Sequence, residues 1–405
     1  MTENIKTPTA PAASGKGMKI GIIVCAALVV LGIALWIVQL TGGMVQTNMR
    51  NLDSWGLYIT CFMFFIGLSA GGLIISSVPN AFGMKGFGGI SKVAIWTSIC
   101  STVVAVGFVV VDLGNPLRLW ELFAFSNLSS PLMWDILVIS TYLILSIVYL
   151  WAYLRNEKGL MSHTAIRVIS VIALIVAILV HSVTAWIFSL APSHEFWHTA
   201  LMGPWFVASA LDCGTALVLI VVLALRKVGY LELDQQHVTN LAKMLAVFVL
   251  VALYFFGCDL LTSGYFGAEG SESVANLLGG PLTPFFASQI ICMAIAVVIL
   301  VAPKLRTNLG VIIASALTIV GVFFKRAQIV LGGFQTANIE SAGYQTTLTS
   351  TYGTTGSYAD IYSNLIYMPT PLEVGVTLGV IALGGLLLCI GLKKLPLKPA
   401  DKTEE

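Results

Sequence analysis

The stretch HSVTAWIFSLAPSHEFWHTALMGPWFVASALDCGTALVL (His181–Leu219) joins the end of one apolar run to most of a second through a short polar segment. The two runs cover residues 165–190 and 201–225, and each is long enough to cross about 30 Å of hydrocarbon as a helix. Both runs contain a lone ionisable residue, His181 in the first and Asp212 in the second. The stretch therefore predicts two membrane-spanning helices joined by a short loop.

The same pattern recurs along the whole chain. Of its 405 residues, 57% are hydrophobic and only 10% are charged, which is typical of an integral membrane protein. Apolar runs of spanning length lie at residues 19–40, 56–79, 92–112, 132–154, 165–190, 201–225, 241–264, 284–302, 309–331 and 372–392. The sequence thus predicts an all-α polytopic membrane protein with ten transmembrane helices.

Two further features concern processing and cysteine chemistry. The first apolar run follows a polar start and is not followed by a clear small-residue cleavage site, so we interpret it as an uncleaved helix. The seven cysteines are scattered through the apolar runs without a C-x-x-C pair. This distribution favours neither a disulfide framework nor ligation of zinc or an iron–sulfur cluster.

The basic residues are distributed unequally between alternate loops. With ten spans, one set of loops and both tails hold seventeen of the 21 Lys and Arg residues, whereas the other set holds only Arg50 and Arg118. Lys325 and Arg326 lie inside a span. By the positive-inside rule, both termini are predicted to be cytoplasmic, with the chain in the cell (inner) membrane.

Five ionisable residues lie in the outer half of the predicted spans: Asp112, His181, Asp212, Asp259 and Arg326. Such groups cost roughly 2.5–3.5 kcal/mol each on insertion scales, so each one is a hypothesis for a functional site. Any one alone could instead be a hydrogen-bonded packing residue, and Lys325 with Arg326 could extend outward as anchors.

The segment HEFWH (His194–His198) raises the question of a zinc protease, because it spells H-E-x-x-H. A zinc site needs both histidines on one helical face and a third ligand, whereas this segment follows Pro192 in a short loop. A haem would need two axial ligands at one depth, and only His181 lies well inside a span. The sequence therefore favours neither metal nor haem.

Five motifs together resemble the NrfD/polysulfide-reductase membrane subunit family. They are WGLYITCFMFFIGLSAGG (Trp55–Gly72), VVVDLGNPLRLWELF (Val109–Phe123), NLSSPLMWD (Asn127–Asp135), the opening stretch, and YMPTPLEVGVTLG (Tyr367–Gly379). They occur in the family's order and cover most of residues 45–392.

The resemblance implies two four-helix bundles with flanking helices. It places a cytoplasmic tail at 1–18, flanking helices at 19–44 and 372–392, the bundles at 45–190 and 191–331, an extracytoplasmic loop at 332–371 and a cytoplasmic tail at 393–405. GLSAGG (67–72) faintly echoes ALDCGT (210–215), which is consistent with a duplication.

The family resemblance also implies a quinone-reactive anchor. Menaquinone or ubiquinone would bind as substrate, and the chain would hold no haem and no iron–sulfur cluster. The expected partners are a ferredoxin-like iron–sulfur subunit and a molybdopterin catalytic subunit on the extracytoplasmic side, with no nucleic acid. Whether such an anchor counts as an enzyme stays open, because its redox cofactors would lie in other chains.

The same resemblance assigns roles to individual residues. His181 would hydrogen-bond a quinone carbonyl and Asp112 would accept protons, while Trp55 and Tyr58 would form an aromatic wall. A proton relay or structural network is expected at Asp212, Asp259 and Arg326. Some relatives carry His or Asn deep in the first bundle-forming helix, where this chain offers mainly Tyr58 and Thr60.

A secondary transporter is the alternative, since a repeat with buried charges also describes that class. A transporter would need ionisable groups near the membrane midplane with access from both sides. The predicted clustering of these groups in the outer half favours the quinone-reactive subunit.

The unequal loop charges generate a topology prediction. Reporter fusions after Lys92, Arg155 and Lys394 should report the cytoplasm, and a fusion near Thr349 should report the outside. The measurement is paired phosphatase and fluorescent-protein activity in intact cells. A cytoplasmic signal at Thr349 would contradict the predicted orientation.

Overall fold

Ten long apolar helices dominate the computed structural model, which describes residues 14–49, 54–82, 88–192, 194–231, 233–265, 267–334 and 367–397. They are α1 (Ser14–Gly42), α2 (Leu57–Phe82), α3 (Gly88–Asp112), α4 (Pro131–Glu157), α5 (His163–Ser189), α6 (Met202–Lys227), α7 (Gln235–Tyr265), α8 (Thr283–Val301), α9 (Asn308–Gly332) and α10 (Pro371–Lys394). Each coincides with one predicted apolar run. The predicted all-α fold with ten candidate spans is therefore confirmed.

Several helices continue beyond the apolar runs from which they were predicted. Helix α7 begins at Gln235, six residues before its apolar run, because polar residues near a helix end can remain helical while they reach the membrane surface. The structure also shows a helix at Gly267–Gly279, which is too short to span a membrane. The sequence pattern had indicated only a connection between two spans there.

Parts of the predicted layout lie outside the described residues. These parts are residues 1–13 and 398–405 of the two predicted tails and residues 335–366 of the predicted extracytoplasmic loop.

Helix α10 shows how local sequence sets a helix start. Thr370 Oγ1 accepts a hydrogen bond from the Glu373 backbone N–H at 3.2 Å, and Glu373 Oε2 accepts one from the Thr370 backbone N–H at 2.8 Å. Pro371 occupies the first helical position, where its missing N–H is not needed. This reciprocal cap satisfies two N–H groups that the helix itself cannot pair.

Helices α2 and α6 cross with their backbones in close contact. A Cβ atom added to Gly71 would lie 2.0 Å from the Ala210 carbonyl oxygen and 2.7 Å from Gly214 Cα. A Cβ atom on Gly214 would lie 2.4 Å from Gly71 Cα. Small residues let spanning helices pack backbone to backbone, so this pair of glycines fixes the distance between α2 and α6.

The helix contacts follow the order of the chain. Helices α2, α3, α4 and α5 contact one another in sequence, with α5 returning to α2, and α6, α7, α8 and α9 do the same, with α9 returning to α6. Helix α1 pairs with α10, and α10 packs on α3. The division into two four-helix bundles with flanking helices remains our proposal, and these contacts support it.

A network of hydroxyl groups lies among helices α2 to α5. Ser69 Oγ is 2.6 Å from Thr102 Oγ1 and 3.1 Å from the Tyr142 hydroxyl, and Ser98 Oγ is 2.6 Å from the same Tyr142 hydroxyl. All four residues are fully buried. Since each hydroxyl satisfies another, the network links α2, α3 and α4 without leaving these polar atoms unpaired.

The two ends of the helical array carry different side chains. At one end, called here the lysine end, Lys92 of α3 forms an ion pair with Glu157 of α4 at 2.9 Å and donates to the Pro396 carbonyl. At the other, called here the tryptophan end, Trp55 and Trp197 stack. The lysine end is the predicted cytoplasmic end, and the tryptophan end is the predicted outer end.

The glycine crossing predicts opposite outcomes for two alanine substitutions. Gly71→Ala should destabilise the protein by about 3 kcal/mol, since its Cβ meets backbone atoms that cannot move aside. Gly257→Ala should leave stability unchanged or raise it, because nothing lies within 4 Å of that Cβ and alanine favours a helix by ~1 kcal/mol. The measurement is the thermal unfolding midpoint of each variant in detergent. Equal midpoints would show that α2 and α6 do not cross this closely.

Candidate functional site

An aromatic cluster closes the tryptophan end. The Trp55 and Trp197 rings have centroids 5.7 Å apart at an interplanar angle of 26°, and Trp55 meets Phe188 and Phe334 edge-on at 5.5 Å and 6.3 Å. Trp197 Nε1 donates to the Ile329 carbonyl. The sequence predicted Trp55 as an aromatic wall, and the structure places it among rings from α5, the following loop and the end of α9.

The HEFWH segment forms a short 3₁₀ turn (Glu195–Trp197). His194 Nδ1 donates to the Gly333 carbonyl at 2.6 Å, and His198 Nδ1 donates to the Ser189 carbonyl at 3.0 Å. Among the described residues, no group of three or more His, Cys, Asp or Glu side chains is placed to hold a metal ion. The predicted absence of zinc and haem stays a prediction.

A group of polar side chains surrounds the end of α3. Asp112 is half-buried there, and its Oδ1 has no hydrogen-bond partner in the described structure. Its carboxylate lies close enough to Glu373 for their charges to interact. Two carboxyl groups thus share one site at the tryptophan end.

Glu373 differs from Asp112 in being fully engaged. Its Oε2 accepts from the backbone N–H groups of Asn48 at 3.0 Å and Thr370 at 2.8 Å, and its Oε1 accepts from the Tyr367 hydroxyl. Burial, followed by this hydrogen bond, raises the pKa of Tyr367 above its ordinary value, so the tyrosine remains a donor. We call Asp112, Glu373, Tyr367, Tyr58 and Gln39 the Asp112 group.

Tyr58 and Gln39 complete the Asp112 group. The fully buried Tyr58 hydroxyl donates to Gln39 Oε1 at 2.6 Å, and Gln39 Nε2 donates to the Val111 carbonyl at 2.9 Å. Gln39 belongs to α1, which the sequence placed outside the bundles. Gln39 is a single glutamine within an apolar run. A search for charged residues within the spans does not identify it.

A second group, the central cluster, lies deeper between α2, α5, α6 and α9. His181 is 1% exposed, and neither ring nitrogen makes a regular hydrogen bond among the described residues, although the ring lies beside the Gly67 backbone and near Arg326. Arg326 Nη2 donates to Ser209 Oγ at 2.6 Å, and its guanidinium lies 3.9 Å from the centroid of the Phe206 ring.

Asp212 is the acidic member of the central cluster. It is fully buried, and neither carboxylate oxygen has a hydrogen-bond partner in the described residues. Its charge interacts with that of Arg326, yet the two side chains do not come within ion-pair distance in the described part of the chain. Acidic and basic groups without a direct ion pair therefore face one another in the interior.

The third feature is a cavity of about 560 Å³ at the tryptophan end, called here the Lys325 cavity. It lies between the start of α6, the end of α7, α9 and the helix Gly267–Gly279. Asp259 and Lys325 both line it. Lys325 Nζ lies 3.6 Å from the Trp205 ring centroid and 3.9 Å from that of Phe256.

The predicted site residues therefore fall into separate places. Tyr58 and Asp112 lie near one another, and their role in quinone binding stays a prediction. His181 lies near Arg326 and the Gly67 backbone rather than near Asp112. Asp259 lies near Lys325. The expected division of His181 from the second-bundle residues is thus not seen in the described contacts.

Comparison with known proteins tests the resemblance drawn from the motifs. The family described as "Polysulphide reductase, NrfD" matches residues 45–338. The chain is 32% identical to a putative membrane subunit of dimethyl sulfoxide reductase from Halobacterium salinarum, over 93% of this chain and 91% of the relative.

Two further relatives are similar over nearly their whole length. One is the Hdr-like menaquinol oxidoreductase integral membrane subunit of Archaeoglobus fulgidus, which is 26% identical over 95% of this chain and 94% of its own. Another is a subunit of the selenate reductase of Mesobacillus selenatarsenatis, which is 24% identical over 91% of this chain and 92% of its own. The motif resemblance is confirmed: the chain is a multi-pass membrane subunit of the oxidoreductase type and belongs to the NrfD polysulphide reductase family.

Proposed function

We propose that this protein is the quinone-reactive membrane anchor of a respiratory oxidoreductase complex. It exchanges electrons between a membrane quinol, menaquinol or ubiquinol, and an iron–sulfur subunit bound at the tryptophan end, which serves a molybdopterin catalytic subunit. Names of the relatives support this function, since one is a menaquinol oxidoreductase subunit and others belong to reductases.

The observation that carries the proposal is the contrast between the two carboxyl groups of the Asp112 group. Glu373 is held by three donors, whereas Asp112 retains a buried oxygen without a partner in the described residues. A carboxylate with a free acceptor position beside a membrane surface is able to take a proton from a bound hydroxyl.

Oxidation of a quinol releases two electrons and two protons. We assign the first proton acceptor to Asp112. Tyr58 supplies aromatic surface near it, and the hydrogen bond from Tyr58 to Gln39 fixes the orientation of that ring. Trp55, in the aromatic cluster of the same end, is proposed as a further aromatic wall. These side chains bind and orient, while the electrons leave through the partner subunit.

His181 is proposed to hydrogen-bond a quinone carbonyl. Its ring nitrogens are free of regular hydrogen bonds in the described structure, so a carbonyl oxygen would satisfy one of them. The ring is buried beside Arg326. A proton on the His181 ring would therefore lie next to the other members of the central cluster. Asp212, Arg326 and Asp259 are proposed as the relay that carries protons away from the site.

The proposed orientation places the quinone chemistry near the outer membrane face. Most basic residues belong to the predicted cytoplasmic loops and tails, and Lys92 and Lys394 lie at helix ends of that set. Proton release or uptake would accordingly occur outside, where the iron–sulfur partner docks.

Substitutions in the proposed site are expected to slow quinol oxidation. Asp112→Asn and His181→Ala should each lower quinol-dependent turnover of the assembled complex by about 10-fold or more, in line with the ~10²–10⁴-fold effect of positioned acid–base groups. Turnover is measured with a soluble quinol analogue and, separately, with an artificial donor that reduces the catalytic subunit directly. Asp234→Asn, an exposed carboxylate in the loop before α7, is the matched control.

Two results would count against this assignment. Full quinol turnover in both variants would place the quinone elsewhere, and loss of the artificial-donor activity as well would give both residues a structural role. The control variant separates these outcomes from a general effect of removing one negative charge.

The relay predicts a smaller effect deeper in the protein. Asp212→Asn should slow quinol-dependent turnover less than Asp112→Asn, because water can bypass one member of a relay but not the first proton acceptor. The same two assays measure this ranking in one preparation. If Asp212→Asn proved the more damaging substitution while the complex remained assembled, the central cluster would hold the acceptor itself.

A further inference from the structure

The Lys325 cavity has the form of a small-molecule site. Its volume of about 560 Å³ falls inside the roughly 300–1,000 Å³ range typical of such sites. Leu260, Leu277 and Ile329 line its apolar part. Its ionisable lining groups are Asp259, Lys325 and His198, and none of them has a role in binding at the Asp112 group.

Lys325 is a buried lysine with no ion-pair partner among the described residues. It is 3% exposed, and the ion pairs found in the described residues are Lys92–Glu157 and Arg118–Glu121. The Lys325 ammonium lies over the stacked rings of Trp205 and Phe256. This cation–π contact partly offsets the free-energy cost of burying the charge. The two rings cannot accept ordinary hydrogen bonds from all three N–H groups of the ammonium. At least one of these groups therefore remains available to donate to a ligand in the cavity.

Asp259 provides a hydrogen-bond acceptor in the same cavity. Its Oδ1 is buried without a partner in the described residues, and its charge interacts with that of Lys325. Ser273 Oγ, also buried and unpartnered there, adds a third polar atom to the lining. The cavity thus offers a donor and an acceptor within an apolar wall.

This pairing selects the charge of the ligand. A phosphate would be attracted by Lys325 but repelled by Asp259, and a cation would meet the reverse conditions. A neutral head group that accepts at one oxygen and donates at another satisfies both side chains. Hydroquinones have this chemistry, because a ring oxygen accepts and a ring O–H donates, and their apolar bodies suit the remaining walls.

Both halves of the chain place an acidic residue near the same end of the protein. Asp112 is the last residue of α3, the second helix of the group α2–α5, and Asp259 lies six residues before the end of α7, the second helix of the group α6–α9. The Lys325 cavity thus has an acidic group at the end of the protein where the Asp112 group also lies.

We propose that the Lys325 cavity binds the head group of a hydroquinone as a second site, with Lys325 donating to one ring oxygen and Asp259 accepting from the hydroxyl group at the other. The oxidised quinone keeps only the contact with Lys325. The proposal rests on the proposed function, because it assumes the same substrate class as the Asp112 group. It adds a site in the second half of the chain.

The test is photolabelling of the full-length chain, assembled in its complex in lipid nanodiscs, with an azido derivative of menadione. Labelled peptides are identified by mass spectrometry, and unlabelled menadiol, the reduced form of menadione, is titrated as competitor without oxygen. We expect labelled peptides from two regions, one around Trp205, Leu260 and Leu277 and the other around Tyr58 and Leu113. Lys325→Met should weaken competition in the first region by about tenfold or more, the loss expected for a hydrogen bond from a charged donor.

Two variants make the result interpretable. Lys92→Met removes a lysine of similar burial, 5% against 3% exposed, at the lysine end, and should leave both regions labelled as in the unchanged protein. Asp259→Asn keeps the side-chain volume and should weaken competition at the cavity alone, so it tests the site even if Lys325→Met does not fold.

The outcomes separate the two proposals. Labelling confined to the Asp112 group, unchanged in Lys325→Met and Asp259→Asn, would overturn the second site and leave the proposed function intact. Failure of menadiol to compete at either region would overturn both. Labelling of the cavity by a photoreactive phospholipid, with none by the quinone, would make the cavity a lipid site and overturn this inference alone.

Discussion

The backbone contact between Gly71 of α2 and Gly214 of α6 is the constraint on which the interior depends. Because neither residue has a Cβ atom, the helices approach until Gly71 Cα meets the position a Gly214 side chain would take. One turn away, a Cβ on Gly67 would lie 3.2 Å from Cys213 Sγ and 3.8 Å from Arg326 Nη2. The crossing therefore brings the α2 backbone against the cationic part of the central cluster, which also contains His181.

The two halves of the chain use matching positions with different polarity. Ser69 and Asp212 occupy corresponding places in the echo between residues 67–72 and 210–215. Ser69 joins a buried network of neutral hydroxyls, whereas Asp212 is a carboxyl without a described partner. A hydroxyl network satisfies itself in a dry interior, but an unpaired carboxyl there requires water, a ligand or a proton. The first half is thus satisfied by its own hydroxyl groups at this depth, whereas the second half keeps a carboxyl that the proposed proton relay would use.

The sequence predicts the elements better than the site. Apolar runs fix the ten spans because hydrocarbon demands helices of a certain length, and insertion cost singles out the charged residues within them. Uncharged polar residues carry a weaker signal, so Gln39, Thr102 and Tyr142 were not found. The grouping of His181 with Arg326 could not be predicted either, because it depends on which helices cross and not on depth along a span. The Lys325 cavity likewise depends on the helix Gly267–Gly279, whose polar sequence is not that of a spanning helix.

Two buried carboxyl groups in the described structure differ in their hydrogen bonding. Asp135, at the start of α4, accepts a hydrogen bond from Thr184 Oγ1 at 2.6 Å and so links α4 to α5. Asp212 has no such donor, although both residues are buried. A hydrogen-bonded carboxyl contributes to packing, whereas a buried one without a partner lowers stability by roughly 1–3 kcal/mol. Simple packing could be achieved by a neutral residue at position 212, as Ser69 shows in the first half. Packing alone therefore does not account for the acid beside Arg326, which is consistent with the relay that we propose for the central cluster.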